Sequence, residues 1–318
     1  MTHLIRFRAR QIKQWLHDMA APLTLCVIIL ITVLVSPLTD ASDKPAVQTH
    51  FSRAYIDLDW GQMHLLQAAP KLMTQPTLVC FPPNPFSGNY YRQLMATLAV
   101  DRRVVALDYP GLGQSDASAT SRTIGDLAEL MIDAIESSHL TGGHHPSVDV
   151  CGYHTGAMVA AEVAIRRPDL VRQVVLIGVP YFADQAENDA ELLSVMQDRP
   201  LPTELATLES SWRFAIADRH PDVSLERAYD NFLESAGAWR ARAPIYRALH
   251  GYEAADRAVF ITQPTLVLNP HGGLKTHTRA YAQLIQDVTL VELPELNYGI
   301  FDVAGEDLAK IMLQYLNH

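Results

Sequence analysis

The feature that most constrains the fold is the stretch VDVCGYHTG, from Val148 to Gly156. Its first residues are apolar and rich in β-forming types, and the residues that follow have apolar side chains at three- and four-residue spacings. The centre reads Gly-x-His-x-Gly, with His154 in the middle. This pattern predicts a strand that runs into a sharp turn, and a helix that opens directly after it.

The rest of the chain repeats this alternation from Phe51 onward. Short apolar, β-rich runs alternate with amphipathic helical stretches, which is the pattern of a mostly parallel sheet covered by helices on both faces. The opening is different, because two β-rich runs flank Asp59-Trp60-Gly61 and predict an antiparallel hairpin. We therefore predict an α/β domain over residues 51–318 with eight strands: Ala54–Leu58, Gln62–Ala68, Thr77–Phe81, Arg103–Leu107, Val148–Cys151, Val174–Gly178, Thr265–Leu268 and Thr289–Leu293.

The alternation stops between about residues 181 and 251, where helical, charged segments with four prolines take over. We interpret this region as an inserted helical cap. Its aromatic residues give it an apolar face that either packs on the sheet or covers a pocket: Trp212, Phe214, Tyr229, Phe232, Trp239 and Tyr246.

Five segments occur in the order and spacing of one known family. They are TLVCFPPNPFSGNYYRQLMATL, RVVALDYPGLGQSD, VDVCGYHTGAMVAAEVAIRRPDLVRQVVLIGVP, QPTLVLNPHG and LVELPELNYGIFD. Over Arg53 to Leu316 the chain resembles the α/β-hydrolase superfamily, and the inserted region falls where that family places its cap. The resemblance implies an α/β-hydrolase fold with a pocket beneath the cap, at the third segment's Gly-x-His-x-Gly elbow.

The family's mechanism requires a nucleophile at the elbow, an acid, a histidine base and an oxyanion hole. By resemblance the nucleophile position is His154, and the base position is Tyr298, next to Asn297. The acid normally ends the seventh strand, where residues 269–274 contain no carboxylate. Asp184, just after the sixth strand, is the nearest substitute. We therefore take His154, Tyr298 and Asp184 as the candidate catalytic residues.

The oxyanion hole normally uses two backbone N–H groups, one after the nucleophile and one after the third strand. Thr155 can supply the first, but the second loop contains Pro82 and Pro83, and proline has no N–H to donate. Asn84 is a possible substitute through its side chain. We place seven residues around the pocket or the oxyanion region: Pro83, Asn84, Tyr153, Thr155, Asn269, His271 and Asn297.

His154 has three possible functional roles and one structural role. It can act as a nucleophile, as a general acid or base, or as a hydrogen-bonding group for a ligand. A lone histidine is otherwise a hydrogen-bonded structural group. We expect no metal or cofactor, although a metal site formed with His271 or His277 is conceivable. Asp302 is expected to cap the last helical region.

Two functions follow from this set of residues. The first is a hydrolase-like enzyme that acts on a small organic molecule under the cap through His154, without ordinary serine-esterase chemistry. The alternative is a non-catalytic ligand-binding or scaffold protein with the same fold. The formal net charge of −10 argues against nucleic acid as a partner. The sequence leaves the oligomeric state open.

The N-terminal region predicts a membrane segment. Basic residues within positions 1–18 precede an apolar run from Met19 to Leu38, which is long enough to cross a hydrocarbon core of roughly 30 Å. Residues 39–50 would then be a linker, and the charge distribution places the N-terminus in the cytoplasm and the large domain outside. A cleaved secretory signal is the alternative, and a buried soluble helix is a third.

Overall fold

The computed structural model describes residues 50–118, 123–140, 145–198, 201, 203–297 and 299–318. The predicted cytoplasmic segment and membrane segment therefore lie outside the described residues, as do the linker up to residue 49 and Tyr298. Within the described part of the chain, no helix is long and apolar enough to cross a membrane.

Eight strands form one sheet, and their order across it is 1-2-4-3-5-6-7-8. The second strand is antiparallel to both of its neighbours, and every other neighbouring pair is parallel. The prediction of an eight-stranded, mostly parallel sheet with an antiparallel opening hairpin is confirmed. The strands are β1 Phe51–Leu58, β2 Gly61–Ala68, β3 Leu78–Phe81, β4 Val104–Leu107, β5 Val148–Tyr153, β6 Val171–Ile177, β7 Thr265–Pro270 and β8 Val288–Leu293.

The α-helices that join these strands lie on both faces of the sheet or in the segment between β6 and β7. A 3₁₀ turn at Gly88–Tyr91 leads into the first of them. The helices are α1 Arg92–Leu98, α2 Ile124–Ser137, α3 Thr155–Arg166, α4 Gln185–Leu192, α5 Glu209–Trp212, α6 Leu225–Gly237, α7 Arg242–His250, α8 Ala254–Ala258, α9 Lys275–Ala282, α10 Ile300–Val303 and α11 Gly305–Leu316.

The sheet separates two hydrophobic cores. On one face, β5 and β6 pack with α2 and α3, whose alanines at 157, 160, 161 and 164 are fully buried. On the other face, α1 and α11 contribute leucines and methionines that are excluded from water. Because both faces of the parallel strands are covered, these strands are continuously apolar, which is why their sequence pattern is easy to recognise.

Helices α4 to α8 form what we call the cap, since they occupy the chain between β6 and β7. The cap has a small core of its own around Ile216, Val223 and Ala228. Of its aromatic residues, Trp212, Phe214 and Tyr229 remain 38%, 67% and 40% exposed, so these three do not pack on the sheet. By contrast, α7 contributes Ile245 and other apolar residues to the first core.

Candidate active site

The sharp turn predicted at His154 is present. Its backbone has φ 51° and ψ −119°, a left-handed conformation that a residue with a side chain adopts only under strain. The flanking glycines explain how the turn closes. A Cβ at Gly152 would lie 2.0 Å from the carbonyl oxygen of Gly156, and a Cβ at Gly156 would lie 1.9 Å from that of Phe81. The Gly-x-His-x-Gly spacing is therefore required by close backbone contacts.

The His154 ring lies beside Tyr153, with a distance of 4.0 Å between the ring centroids. The residue as a whole is half-buried. The loss of solvent around the ring lowers the pKa of His154 to about 4, because burial disfavours the charged form. At neutral pH the imidazole is uncharged and offers one hydrogen-bond donor and one acceptor.

No carboxylate of the described residues forms a hydrogen bond with His154. Asp184 is exposed at the N-terminus of α4, where its side chain accepts a hydrogen bond from the Glu187 N–H at 3.1 Å. Its carboxylate thus caps a helix, and this placement does not support the predicted role as a catalytic acid. The predicted base, Tyr298, lies outside the described residues.

The end of β7, where the family carries its acid, has a buried amide instead. Asn269 is fully buried and donates from Nδ2 to Glu292 of β8 at 2.9 Å. Glu292 in turn forms a salt bridge with Arg279 at 2.9 Å, and this contact lowers the pKa of the glutamate. His271 and Asn297 are both exposed. Within the described residues, no group of three His, Cys, Asp or Glu side chains is arranged to hold a metal ion.

The loop after β3 is held by the cap rather than left available to a substrate. Pro83 is buried, and Asn84 donates from Nδ2 to the carbonyl oxygen of Arg242 at 2.9 Å. The carbonyl of Asn84 accepts a hydrogen bond from the Tyr246 hydroxyl at 3.0 Å. One of the two N–H donors of the Asn84 amide is therefore already used by the cap. Thr155 begins α3, so its N–H has no acceptor within the helix.

Known proteins share this architecture. The profile of the α/β-hydrolase fold matches residues 76–214, which include β3, the elbow and the start of the cap. This match confirms the resemblance to the α/β-hydrolase superfamily that the sequence segments indicate. It is 23% identical over 239 residues to 2-(acetamidomethylene)succinate hydrolase of Mesorhizobium japonicum, a match that spans 71% of this chain and 83% of that protein.

Solved structures with the same fold superpose on most of the domain. An esterase from Exiguobacterium antarcticum has a TM-score of 0.66 at 20% identity, and the match covers 83% of this chain and 99% of the esterase. The enol-lactonase from Burkholderia xenovorans has a TM-score of 0.65 at 17% identity, covering 83% of this chain and all, 100%, of the lactonase. At these identities the similarity establishes the fold alone.

Two further cap contacts, which the sequence did not predict, reach the same loop of this α/β-hydrolase domain. Glu234 of α6 accepts hydrogen bonds from the Ser87 N–H at 3.1 Å and from Asn89 Nδ2 at 3.2 Å. Arg227 donates to the Tyr90 carbonyl at 3.1 Å. These residues lie about 140 positions apart in the chain, so no local sequence pattern could have indicated that they meet.

The prediction for Asp302 is wrong. This residue was expected to cap a helix, but it forms a salt bridge with Arg227 at 3.0 Å, with both side chains nearly excluded from solvent. Burial raises the pKa of Asp302, while the guanidinium of Arg227 opposes that shift. This salt bridge connects the cap to α10, the short helix before the last one. Neither side chain forms a hydrogen bond with His154.

A histidine–carboxylate pair does occur in this domain, away from the elbow. His64 of β2 contacts Asp108, just after β4, with 2.8 Å between Nδ1 and Oδ2. The same carboxylate accepts hydrogen bonds from the Gly88 N–H at 2.7 Å and from the Gln114 N–H at 3.0 Å. Both side chains are buried, so the pair holds two loops in place.

Proposed function

We propose that this α/β-hydrolase-fold protein binds a small organic molecule at the elbow, with the neutral His154 ring as a hydrogen-bonding group. We further propose that it does not hydrolyse esters by the serine-hydrolase route. The observation that carries this proposal is the environment of His154. His154 is half-buried at the centre of the elbow, its pKa is lowered to about 4 by burial, and no carboxylate of the described residues forms a hydrogen bond with its ring.

The loop after β3 supports the same proposal. Serine-hydrolase chemistry depends on donors that stabilise an oxyanion, and losing one donor costs about 2.7–4 kcal/mol in the transition state. Here two prolines occupy the loop, and the Asn84 amide is bound to the carbonyl of Arg242. A tetrahedral intermediate at His154 would therefore be poorly stabilised, whereas a ligand with one donor and one acceptor would not need this support.

A second function, hydrolysis or proton transfer with His154 as a base, is favoured by the strained elbow. A non-glycine residue at φ 51° and ψ −119° costs of order 1–3 kcal/mol, and such strain is often kept at sites in use. The Mesorhizobium japonicum relative is named as a hydrolase. Against this function, a base with a pKa near 4 has little tendency to take a proton at neutral pH.

The two functions are separated by testing purified full-length protein against ester, thioester, lactone and amide substrates, alongside a library of small ligands. The binding proposal predicts no turnover above background, together with ligands whose affinity falls about tenfold in His154→Ala. Turnover in the wild type that His154→Ala abolishes would instead establish the catalytic function. Thermal unfolding of both proteins checks that the variant folds.

We propose, in addition, that the domain is tethered to the cell membrane by the apolar run at residues 19–38, with the domain on the outer side. The basic residues before this run and the acidic residues after it support that orientation. Carbonate extraction of membranes and the intact mass of the extracted chain test it. A mature chain that begins near residue 40 would replace the anchor with a cleaved signal.

A further inference from the structure

A cavity of about 170 Å³ lies beside the elbow, between α3, the segment after β6, and helices α4, α7 and α8. Met158 lines it from α3, four residues and so about one helical turn after His154. His154 itself is not part of the lining. The cavity is therefore distinct from the elbow site, and a ligand bound in it need not touch the imidazole.

The lining of this cavity has an unusual combination of groups. Three aromatic residues line it, Tyr181, Phe182 and Tyr252, and so does the acidic residue Glu253. No lysine or arginine is among its lining residues. Aromatic faces carry partial negative charge, so several rings together with a carboxylate attract a cation and disfavour an anion.

The aromatic side chains are held in place by contacts outside the cavity. The Tyr252 hydroxyl donates to the buried Glu162 at 2.9 Å. The Phe182 ring packs against that of His277, with 4.7 Å between centroids, and the Tyr181 ring packs against Tyr281 at 5.7 Å. Because each side chain has a fixed partner, little side-chain entropy is lost when a ligand binds between them.

Two basic side chains near the cavity are paired with carboxylates. His250, the one basic side chain in the lining, has its Nε2 at 2.6 Å from Oδ1 of Asp189. Arg257, on α8, donates from Nε and Nη2 to the two carboxylate oxygens of Glu162, at 2.9 and 3.0 Å. Glu253 adds a second carboxylate to the one that Asp189 provides, so acidic groups outnumber basic ones at this cavity.

We propose that this cavity binds a small organic ammonium ion, with its cationic head against the three aromatic side chains and Glu253. An ammonium head matches the chemistry better than a metal ion, because aromatic rings attract a weakly hydrated organic cation through their faces. The site acts independently of His154, so it provides a second small-molecule site on the same domain.

The probe is tetramethylammonium, and its control is tert-butanol, a neutral molecule of similar size. Full-length protein is titrated with each, and binding is followed by saturation-transfer NMR of the probe's methyl protons. We expect saturable binding of tetramethylammonium and none of tert-butanol in the same concentration range. Equal binding of the two, or no binding of tetramethylammonium, would overturn the proposal.

Substitutions of lining residues then test whether the cation binds in this cavity. Phe182→Leu keeps the residue apolar but removes one ring, and Glu253→Gln removes the charge; each is expected to weaken binding roughly three- to tenfold. Glu191→Gln, an exposed change on α4 outside the lining, is the matched control and should leave the affinity unchanged. Thermal unfolding confirms that each variant is folded.

His154→Ala separates this proposal from the elbow function. Unchanged tetramethylammonium affinity in His154→Ala is expected, whatever that variant does to ligands of the elbow. If His154→Ala abolishes tetramethylammonium binding while Glu253→Gln does not, the cation binds at the elbow and the cavity proposal is wrong.

Discussion

Two histidines of this domain, His154 and His64, show that the location of a histidine says more about its function than its contact with a carboxylate. His154 is half-buried at the elbow, with a strained backbone and no carboxylate among the described residues that forms a hydrogen bond with its ring. His64 is buried, 2.8 Å from the carboxylate of Asp108, and its Nε2 has no hydrogen-bond partner within the described chain. The histidine of the dyad-like pair is therefore structural, while the histidine at the elbow lacks the partner that catalysis would need.

The structural role of the buried pair comes from the hydrogen bonds that Asp108 accepts. Its carboxylate joins β2, the turn that begins at Gly88 and the loop at Gln114, so three segments meet at one side chain. The comparison teaches that a histidine–aspartate contact indicates catalysis only where a nucleophile and solvent can reach it. Each of the following predictions tests one side of this contrast.

The largest effect is expected from Asp108→Ala. This change leaves the Gly88 and Gln114 N–H groups and the His64 ring without their acceptor, and removing a buried charged partner of this kind costs about 3 kcal/mol. Urea unfolding measures the loss. Asp116→Ala is the matched control in the same loop region. This exposed aspartate accepts one hydrogen bond, from the Gln62 N–H at 2.9 Å, so its replacement should cost well under half as much. Equal losses would show that Asp108 is not the joining residue.

Replacing the two histidines themselves is expected to change the free energy of unfolding in opposite directions. His64→Leu removes one hydrogen bond to a buried carboxylate and should destabilise the protein by about 2 kcal/mol. His154→Gly replaces a strained residue with one that tolerates positive φ, and should stabilise the protein by about 1 kcal/mol. A loss of stability in His154→Gly as large as that in His64→Leu would assign a structural role to His154.

These contrasts also show which features a sequence can reveal. The strands were predictable because burial on both faces makes them continuously apolar, and the elbow was predictable because its glycines are required by close backbone contacts. The pairing of His64 with Asp108 was not, because it depends on the register between β2 and β4. The partner of Asp302 likewise comes from the cap, 75 positions away, so its local sequence suggested only a helix cap.

A smaller effect is expected in the pH dependence of stability. Because the pKa of His154 is about 4 in the folded protein and about 6.5 in the unfolded chain, the unfolded chain binds more protons between these values. The contribution of the uncharged His154 to the free energy of unfolding is therefore complete above pH 6.5 and is lost as the pH falls toward 4. Between pH 7 and pH 4.5 the wild type should lose about 2 kcal/mol more than His154→Gln. Equal losses in urea unfolding would show that the pKa of His154 is not lowered.

The smallest effect is expected on esterase activity when a serine is placed at the elbow, although comparison with serine hydrolases would predict a large one. His154→Ser restores the residue that the superfamily usually carries at the elbow, yet we expect esterase activity to stay at background. A serine hydroxyl needs a base to remove its proton, and the position aligned with the base is Tyr298. The variant's hydrolysis of a short-chain nitrophenyl ester, measured against wild type and His154→Ala, tests this.

A fluorophosphonate probe makes the same test more sensitive, because one covalent event is enough to be detected by mass. We expect no labelling of His154→Ser, since Pro82 and Pro83 have no N–H to donate and the Asn84 amide is held by the carbonyl of Arg242. Labelling at residue 154 would mean that the loop can release the cap and form an oxyanion hole. The elbow would then differ from that of an active hydrolase only in its nucleophile, and the contrast between the two histidines would no longer explain the lack of serine-type chemistry.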